Sequence, residues 1–476
     1  MMDTMIKENG LTFKELEQNI FKSICEAGQR CTTELLETYD KQLMEGRDKS
    51  VYRHKGLRET TVKTVYGEVT YKRTIYEKTN ENGMKSFVYL LDETLDLKNV
   101  GLISTNLAEK LVEGITDLSY RQCAKKVTEM TGQSISAMGV WKVVQSLGGQ
   151  ICEEERRLVE AHKKGKVKGT KEAPVLFEEA DGVYVKLQGK DRSESHQKKV
   201  EIKVGIAYDG WKKAGKDRYL LDEKIVMAGI GNAKDFHEYR EAAIAETFDL
   251  DETQVRILNA DGAPWLKKVK DKSTVFQLDP FHKYQAIKEY TADKKAQIYI
   301  RELLDNGKIE EMFEYIEIYK NSLYEDKEIE NIERLEKYFR SNEHGLIPYQ
   351  KQELDLPERP EGLEYRNMGT MENHVWSVIA RRMKHNHTCW SRCGGNHLAK
   401  ILAKKCSGKL DEVTKKLQRP VFEEEVVEKI WDDILLSAKA PKRDGKGYAY
   451  PVMGHMVGLD RKTRGERRKM NKMAGY

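Results

Sequence analysis

Three carboxylates carry the chemistry that can be read first in this chain of 476 residues. Asp181 follows the strand-like run 175–180 and precedes Gly182; Asp261 follows the run 255–260 and precedes Gly262. Glu372 stands 111 residues beyond Asp261, as Asp261 stands 80 beyond Asp181, counting 261 to 372 and 181 to 261. The end of an apolar strand holds a carboxylate rigidly, and a following glycine lets other backbone come close. Three such groups brought to one point could hold two Mg²⁺ ions, which take oxygen ligands and need few from protein because water and phosphate fill the rest. Two ions about 3.5–4 Å apart activate an attacking oxygen and stabilise a leaving one at phosphorus. A single Asp-Gly reads better as the turn that closes a strand. Two of them with a suitably placed glutamate reverse that preference.

Neighbouring residues refine the constellation. Thr370 is the expected N-cap of a helix with Glu372 in its first turn, where the helix dipole favours an acid by roughly 0.3–1 kcal/mol. Glu178 and Glu179 compete with Asp181, but strand alternation favours Asp181, and Gln is expected to be tolerated at both glutamates. His282, in Asp279-Pro280-Phe281-His282, could orient a carboxylate or touch a phosphate. Arg381, Arg382 and Lys384 follow Glu372 on the same expected helix and could meet DNA phosphates. In the segment 385–397, Trp390 could stack on an unpaired base and Arg392 could contact phosphate. That segment also offers His385, His387, Cys389, Cys393 and His397, acceptable zinc ligands by type but not at a standard spacing.

The elements that must position these groups follow from periodicity. Residues 11–47 have apolar positions at helical spacing. Residues 59–91 alternate around Tyr66-Gly67 and a second turn signal at 80–83, which predicts a β-ribbon with a further strand at 87–90. Residues 118–147 predict two short helices broken at Gly132, with Ser136 as N-cap of the second. Such a pair fits a helix-turn-helix, with Lys142 or Gln145 reaching the DNA major groove; an ordinary helical hairpin is the plain alternative. A basic linker at 163–171 precedes expected strands at 175–180, 200–208, 224–230, 255–260 and 274–278, with helices at 235–248 and after Pro264. Residues 284–349 read as an all-helical insertion between Asp261 and Glu372. The expected parts are 1–50, 51–105, 106–160, 172–284, 285–360, 361–440 and a basic tail, 441–476.

Composition narrows the class. Hydrophobic residues are 39% and charged residues 34% of the chain, and no apolar run approaches the roughly 20 residues of a membrane span. No signal-peptide pattern opens the sequence, so a cytoplasmic protein is expected; nucleoid association is expected only with the DNA-binding resemblance given below. Net charge is only +5, yet residues 441–476 hold ten Lys or Arg against three acids and should attract phosphates. Seven scattered cysteines argue against a disulfide framework. No Walker-type loop supports ATP hydrolysis.

The segments ADGVYVKLQG (180–189), EIKVGIAYDGW (201–211), NADGAPW (259–265), LDPFHKYQ (278–285) and GTMENHVWSVIARRMK (369–384) occur in order and at spacings that resemble bacterial insertion-sequence transposases of the DDE class. The likeness is to the ISLre-type group, relatives of Mutator-type transposases, and covers most of the chain. It implies a multidomain protein of α/β and α parts. An N-terminal helical and β-ribbon DNA-binding region would precede a ribonuclease-H-like catalytic domain carrying an all-helical insertion. It implies Asp181, Asp261 and Glu372 as metal ligands, two Mg²⁺ with Mn²⁺ as substitute, and His282 at the place where Mutator-type enzymes carry a Cys or Asp, two residues, then His. The implied partners are double-stranded DNA, both terminal inverted repeats and target, and further copies of the chain, since two DNA ends are joined to one target. The implied activity is cleavage at the element end followed by strand transfer. A metal-dependent nuclease without strand transfer, or a domesticated DNA-binding protein without activity, remain the alternatives.

Overall fold

The computed structural model describes residues 11–79, 83–95, 103–132, 134–267, 274–385 and 387–415. The first helix, Phe13–Gly46, starts at a capping box in which Thr12 and Glu15 satisfy each other's backbone N–H groups. Its second half lies on an antiparallel ribbon of β1 (Tyr52–Thr64), β2 (Gly67–Thr79) and β3 (Lys85–Val88). Buried Asp40 fastens the two by accepting from Thr74 N at 2.9 Å and Thr74 Oγ1 at 2.6 Å. The expected turn at 80–83 falls largely outside the described residues.

Helices Thr105–Ile115 and Tyr120–Thr131 follow, and Gly132 closes the second at φ 69°, the left-handed conformation that glycine adopts freely. Ser136 caps the next helix as expected, but that helix is not short: it runs 27 residues, Ala137–Lys163. Its buried residues Val140, Val144, Leu147 and Ile151 keep helical spacing past residue 147, and this packing carries the helix through the Gly148-Gly149 pair. Gly148 lets it pack tightly on helix Arg392–Cys406; a Cβ there would lie 2.2 Å from the Cβ of His397.

Three lysines of the basic linker at 163–171 meet acids locally. Lys163 pairs with Glu238, Lys168 with Asp249 and Asp251, and Lys171 with buried Asp209. Beyond it lies a five-stranded sheet in the order β10-β9-β4-β5-β8. Its strands are β4 (Val175–Lys186), β5 (Lys199–Tyr208), β8 (Ile225–Gly229), β9 (Val255–Ala260) and β10 (Thr274–Leu278). β5 runs antiparallel to β4 and β8, while β9 runs parallel to β4 and β10. Between β5 and β8, the short strands β6 (Trp211–Lys213) and β7 (Tyr219–Leu221) form a separate small sheet with β11 (Leu363–Glu364).

Alternation assigns the two faces. Val183, Val185, Ile202, Val204, Ile206 and Val226 share a core with Val378, Ile379, Leu398 and Ile401. Leu176, Ala207, Ile225 and Met227 pack under Phe236, Tyr239 and Ala243 of helix Ala233–Thr247. β4 departs from expectation because it does not end before Asp181. The alternating residues Val183 and Val185 continue its ladder against Val200 and Ile202, so the Asp-Gly pair lies inside a strand.

The helical insertion has its own core. Helices Pro280–Tyr290, Lys294–Asp305, Ile309–Asn321 and Asp326–Arg340 bury Ile287, Ile300, Leu304, Ile316, Leu335 and Phe339 together. The chain then returns through Met371–His374, a π-helical stretch Val375–Ala380 and Arg381–Met383, followed by Arg392–Cys406 and Leu410–Lys415. No helix among the described residues is long and apolar enough to cross a membrane. The basic tail at 441–476 lies outside the described residues.

Candidate active site

The parallel pairing of β4 with β9 ends at Ala180↔Ala260. The next residue on each strand is Asp181 and Asp261, so sheet register sets the two aspartates side by side. Asp181 is buried and its Oδ1 accepts from Gly182 N at 2.7 Å. Asp261 Oδ1 accepts from Ala263 N at 2.8 Å, and its carbonyl accepts from Tyr338 Oη of the helical insertion at 2.9 Å. Burial pushes the Asp261 carboxyl above its ordinary value, the Ala263 N–H pulls it down, and the charges of Asp181 and Glu201 push it up again. The insertion packs tightly on Gly262, at φ +80°: a Cβ there would lie 2.4 Å from Asn342 Oδ1.

His282 is brought in by a helix start. Asp279 caps helix Pro280–Tyr290, its Oδ1 accepting from Phe281 N at 2.9 Å and His282 N at 3.4 Å. The first turn then directs His282 Nε2 to 3.7 Å from Asp181 Oδ2. Asp181 holds the imidazole above its ordinary value against the opposing effect of burial.

Beside this group lies a buried polar layer centred on a residue not expected to matter, Glu179. Glu179, 1% exposed, shares Asp181's face of β4 and accepts five hydrogen bonds. Tyr208 Oη and Thr370 Oγ1 reach Oε1 at 2.8 and 2.7 Å. Asn259 Nδ2, Gly369 N and Thr370 N reach Oε2 at 3.0, 3.1 and 3.0 Å. Burial pushes this carboxyl up while Thr370 and Tyr208 draw it down; five donors aimed at it require the ionised form. Asn259 also donates to Asp279 Oδ2 at 2.6 Å and accepts from Gln277 at 3.0 Å. Glu178, on the opposite face, is buried against Arg256 at 2.7 Å and Arg240 at 3.4 Å. The expectation that Gln is tolerated at both positions is therefore corrected. The signal available in the sequence was parity: 179 and 181, like 259 and 261, share a face.

Glu372 sits in the first turn of Met371–His374, but Thr370 does not cap that helix; its hydroxyl is turned to Glu179. Glu179 thus ties the peptide before Glu372 to the strand of Asp181. The Glu372 carboxylate itself is exposed. Asp181, Asp261 and His282 come together and Glu372 does not join them: among the described residues no three His, Cys, Asp or Glu side chains converge as a ready metal-holding group. The π-helical stretch follows Glu372 directly, and such stretches occur often at functional sites.

The expected DNA-facing residues divide. Lys142, Lys384 and Arg392 are exposed, the last with its backbone N–H donating to Asp191 at 2.7 Å. Gln145 is turned inward, accepting from His397 Nδ1 at 2.8 Å, because the helix that carries it packs on Arg392–Cys406. Arg382 is buried, donates to Ile115 O at 2.8 Å and stacks over Trp390 at 5.3 Å. Trp390 is core, 6% exposed, with its indole N–H on Met383 O at 2.9 Å. Arg381 is half-exposed and paired with Asp117. Base stacking by Trp390, and groove or phosphate contact by Gln145 and Arg382, are thereby overturned for this conformation. In the segment 385–397, Cys393 and His397 come within 3.6 Å, and no zinc-type cluster forms among the described residues.

The site is thus a paired aspartate centre on a mixed sheet, with a histidine and a helical insertion against it. The family match, described as "Uncharacterised protein family (UPF0236)", spans residues 6–419, and the chain belongs to that family. A UPF0236 protein of Caldanaerobacter subterraneus subsp. tengcongensis, whose name joins eleven locus designations, is 27% identical over 422 residues, covering 85% of this chain and 80% of its own. A second from that organism, named for four loci, is 26% identical over 419 residues, with 85% and 80% covered. A UPF0236 protein in the vanSb 3′ region of Streptococcus gallolyticus is 22% identical over 419 residues, with 85% and 87% covered.

Proposed function

We propose that this chain is a DNA transposase of the DDE class, ISLre-type and akin to Mutator-type enzymes, which binds element ends, cleaves a strand there and transfers it to target DNA. The observation that carries the reading is the register of β4 and β9, which sets Asp181 beside Asp261 with His282 at 3.7 Å. Three further observations support it. The order β10-β9-β4-β5-β8, antiparallel on one side of β4 and parallel on the other, is compatible with the ribonuclease-H-like sheet this reading calls for. A helical unit with its own core interrupts the chain between Asp261 and Glu372. The relatives' names carry eleven and four locus designations in one organism, the copy number expected of a mobile element.

The donor set fits Mg²⁺. Asp181, buried on β4, and Asp261, just past the end of β9, lie side by side; burial first, and the charge of Asp181 after it, push the Asp261 carboxyl up, and a hard cation taking oxygen ligands would relieve that repulsion. Asp181 and Asp261 would hold it; Glu372, which stands outside the pair in this structure, would be drawn in as the third carboxylate when the cation binds. Bound there, Mg²⁺ pairs supply charge stabilisation to attacking and leaving oxygens at phosphorus. The chain's own part is positioning. Glu179 ties the Glu372 helix to β4, Asp279 presents His282, and Tyr338 fixes the Asp261 backbone. Lys142, Lys384 and Arg392 stay free for phosphate, and the protein works on double-stranded DNA in the cytoplasm as an oligomer.

The experiment uses duplexes copied from the inverted repeats flanking the gene. With Mg²⁺ or Mn²⁺ the full-length protein should nick at the repeat boundary and join pre-cleaved ends to a target plasmid. Nicking without joining would leave a nuclease; sequence-specific binding without either would leave a DNA-binding protein.

A further inference from the structure

Behind the acidic pair, on the other face of β4, a second charged pair is built into β5. The pairs Gly182↔Lys203 and Tyr184↔Glu201 put Glu201 and Lys203 on the face opposite Asp181. Lys203 is 6% exposed. Its ammonium donates to Glu201 Oε2 at 2.6 Å and to the Gly231 carbonyl at 3.2 Å. The same ammonium lies 5.4 Å from the ring centroid of Trp265, four residues beyond Asp261. Glu201 reaches over Gly182 so closely that a Cβ there would lie 2.4 Å from its Oε1. The glycine beside Asp181 is thus the opening through which Glu201 approaches the centre, and its charge acts on Asp261. A lysine this buried is costly unless paired. Its same-face neighbours on the strand, Gly205 and Ala207, are small and carry no charge that calls for it.

We propose that Glu201 and Lys203 form a positioning pair that sets the cation affinity of the Asp181–Asp261 centre. Glu201 adds negative charge behind Gly182; Lys203 holds that carboxylate in place and offsets part of its charge. The inference rests on the metal-binding reading of the acidic pair.

The test reads cation binding rather than turnover. Mn²⁺ is titrated into full-length protein without DNA, and the free ion is counted by electron paramagnetic resonance. Asp261→Asn should remove the saturable site. Glu201→Gln deletes a charge at constant shape and leaves Lys203 uncompensated, so the Kd for Mn²⁺ should rise roughly three- to tenfold. Lys203→Met deletes the opposing charge at similar volume, so Kd should fall by a similar factor. Lys203→Arg, which keeps the charge, should stay near wild type. Thermal melts check the fold of each variant, and if Glu201→Gln does not fold, Lys203→Met still decides. Shifts of the same sign in the two charge-deleting variants, or no shift, overturn the pair's role. Wild-type protein without saturable binding, or binding unaffected by Asp261→Asn, would show that the metal reading itself fails and takes the pair with it.

Discussion

Glu179 and Asp181 are two residues apart on one face of β4, yet their surroundings give them different work. Glu179 is saturated by donors from Tyr208, Asn259, Gly369 and Thr370, whereas Asp181 faces Asp261 and His282. Glu179→Gln would turn an amide donor toward donors in a buried site. We expect it to cost about 2–4 kcal/mol in urea unfolding, a loss that an apolar-to-polar change on the surface would not give. Glu372→Gln should leave unfolding unchanged, since that side chain is exposed, while reducing strand joining as severely as loss of either aspartate. Wild-type joining in that variant would place the third carboxylate elsewhere. Asp181 and Asp261 were legible in the sequence because an acid after an apolar run is a local pattern. For Glu179 the only local signal is its parity with Asp181; its donors lie 29 to 191 residues away, and nothing near it in the chain marks what will meet it.

Elements show where local reading fails for a different reason. The strands of the main sheet are legible from apolar runs, but the Asp-Gly that reads locally as a strand end lies inside β4, because pairing with β5 rather than local propensity extends the strand. Helix Ala137–Lys163 was expected to stop near residue 147 and to face DNA. It instead buries Gln145 and Gly148 against Arg392–Cys406, a contact between residues about 250 apart. Gly148→Ala would force the two helices apart at His397, and we expect a loss of about 1–3 kcal/mol in the same unfolding assay. On the other face, burial raises the Glu241 carboxyl, but the hydrogen bonds and charge of Arg256, with the charge of Arg240, outweigh it and bring it to about 2 from an ordinary 4.5. A carboxyl lowered on folding stabilises above its unfolded value and loses that contribution as pH falls through the folded one. Stability should therefore hold above about pH 4.5 and fall by up to about 3 kcal/mol toward pH 2. Glu241→Gln should flatten that part of the acid-unfolding curve; an unchanged slope would remove the network from the account.

At the scale of the whole molecule, the described residues join three parts. An N-terminal helical and ribbon region leads into the mixed sheet, and the helical insertion reaches back through Tyr338 to the backbone of Asp261. Several basic side chains that the sequence offered to DNA are spent on internal pairs, so affinity should rest on fewer phosphate contacts than the charge count suggests. Binding of element-end duplex by the full chain should weaken with salt, with log K falling by about 0.9 per phosphate neutralised for each unit of log salt. Lys142→Ala and Lys384→Ala should each lower that slope by about one contact, whereas Arg382→Ala should change stability instead. The central claim is that Asp181 and Asp261 form one metal-dependent centre for cleaving DNA. Its most direct measurement is Mg²⁺-dependent nicking of the element-end duplex by wild type, Asp181→Asn and Asp261→Asn, with binding of the same duplex followed in parallel. The account predicts that each variant binds the duplex as the wild type does and loses nicking by at least about a hundredfold. Wild-type nicking in either variant would contradict it.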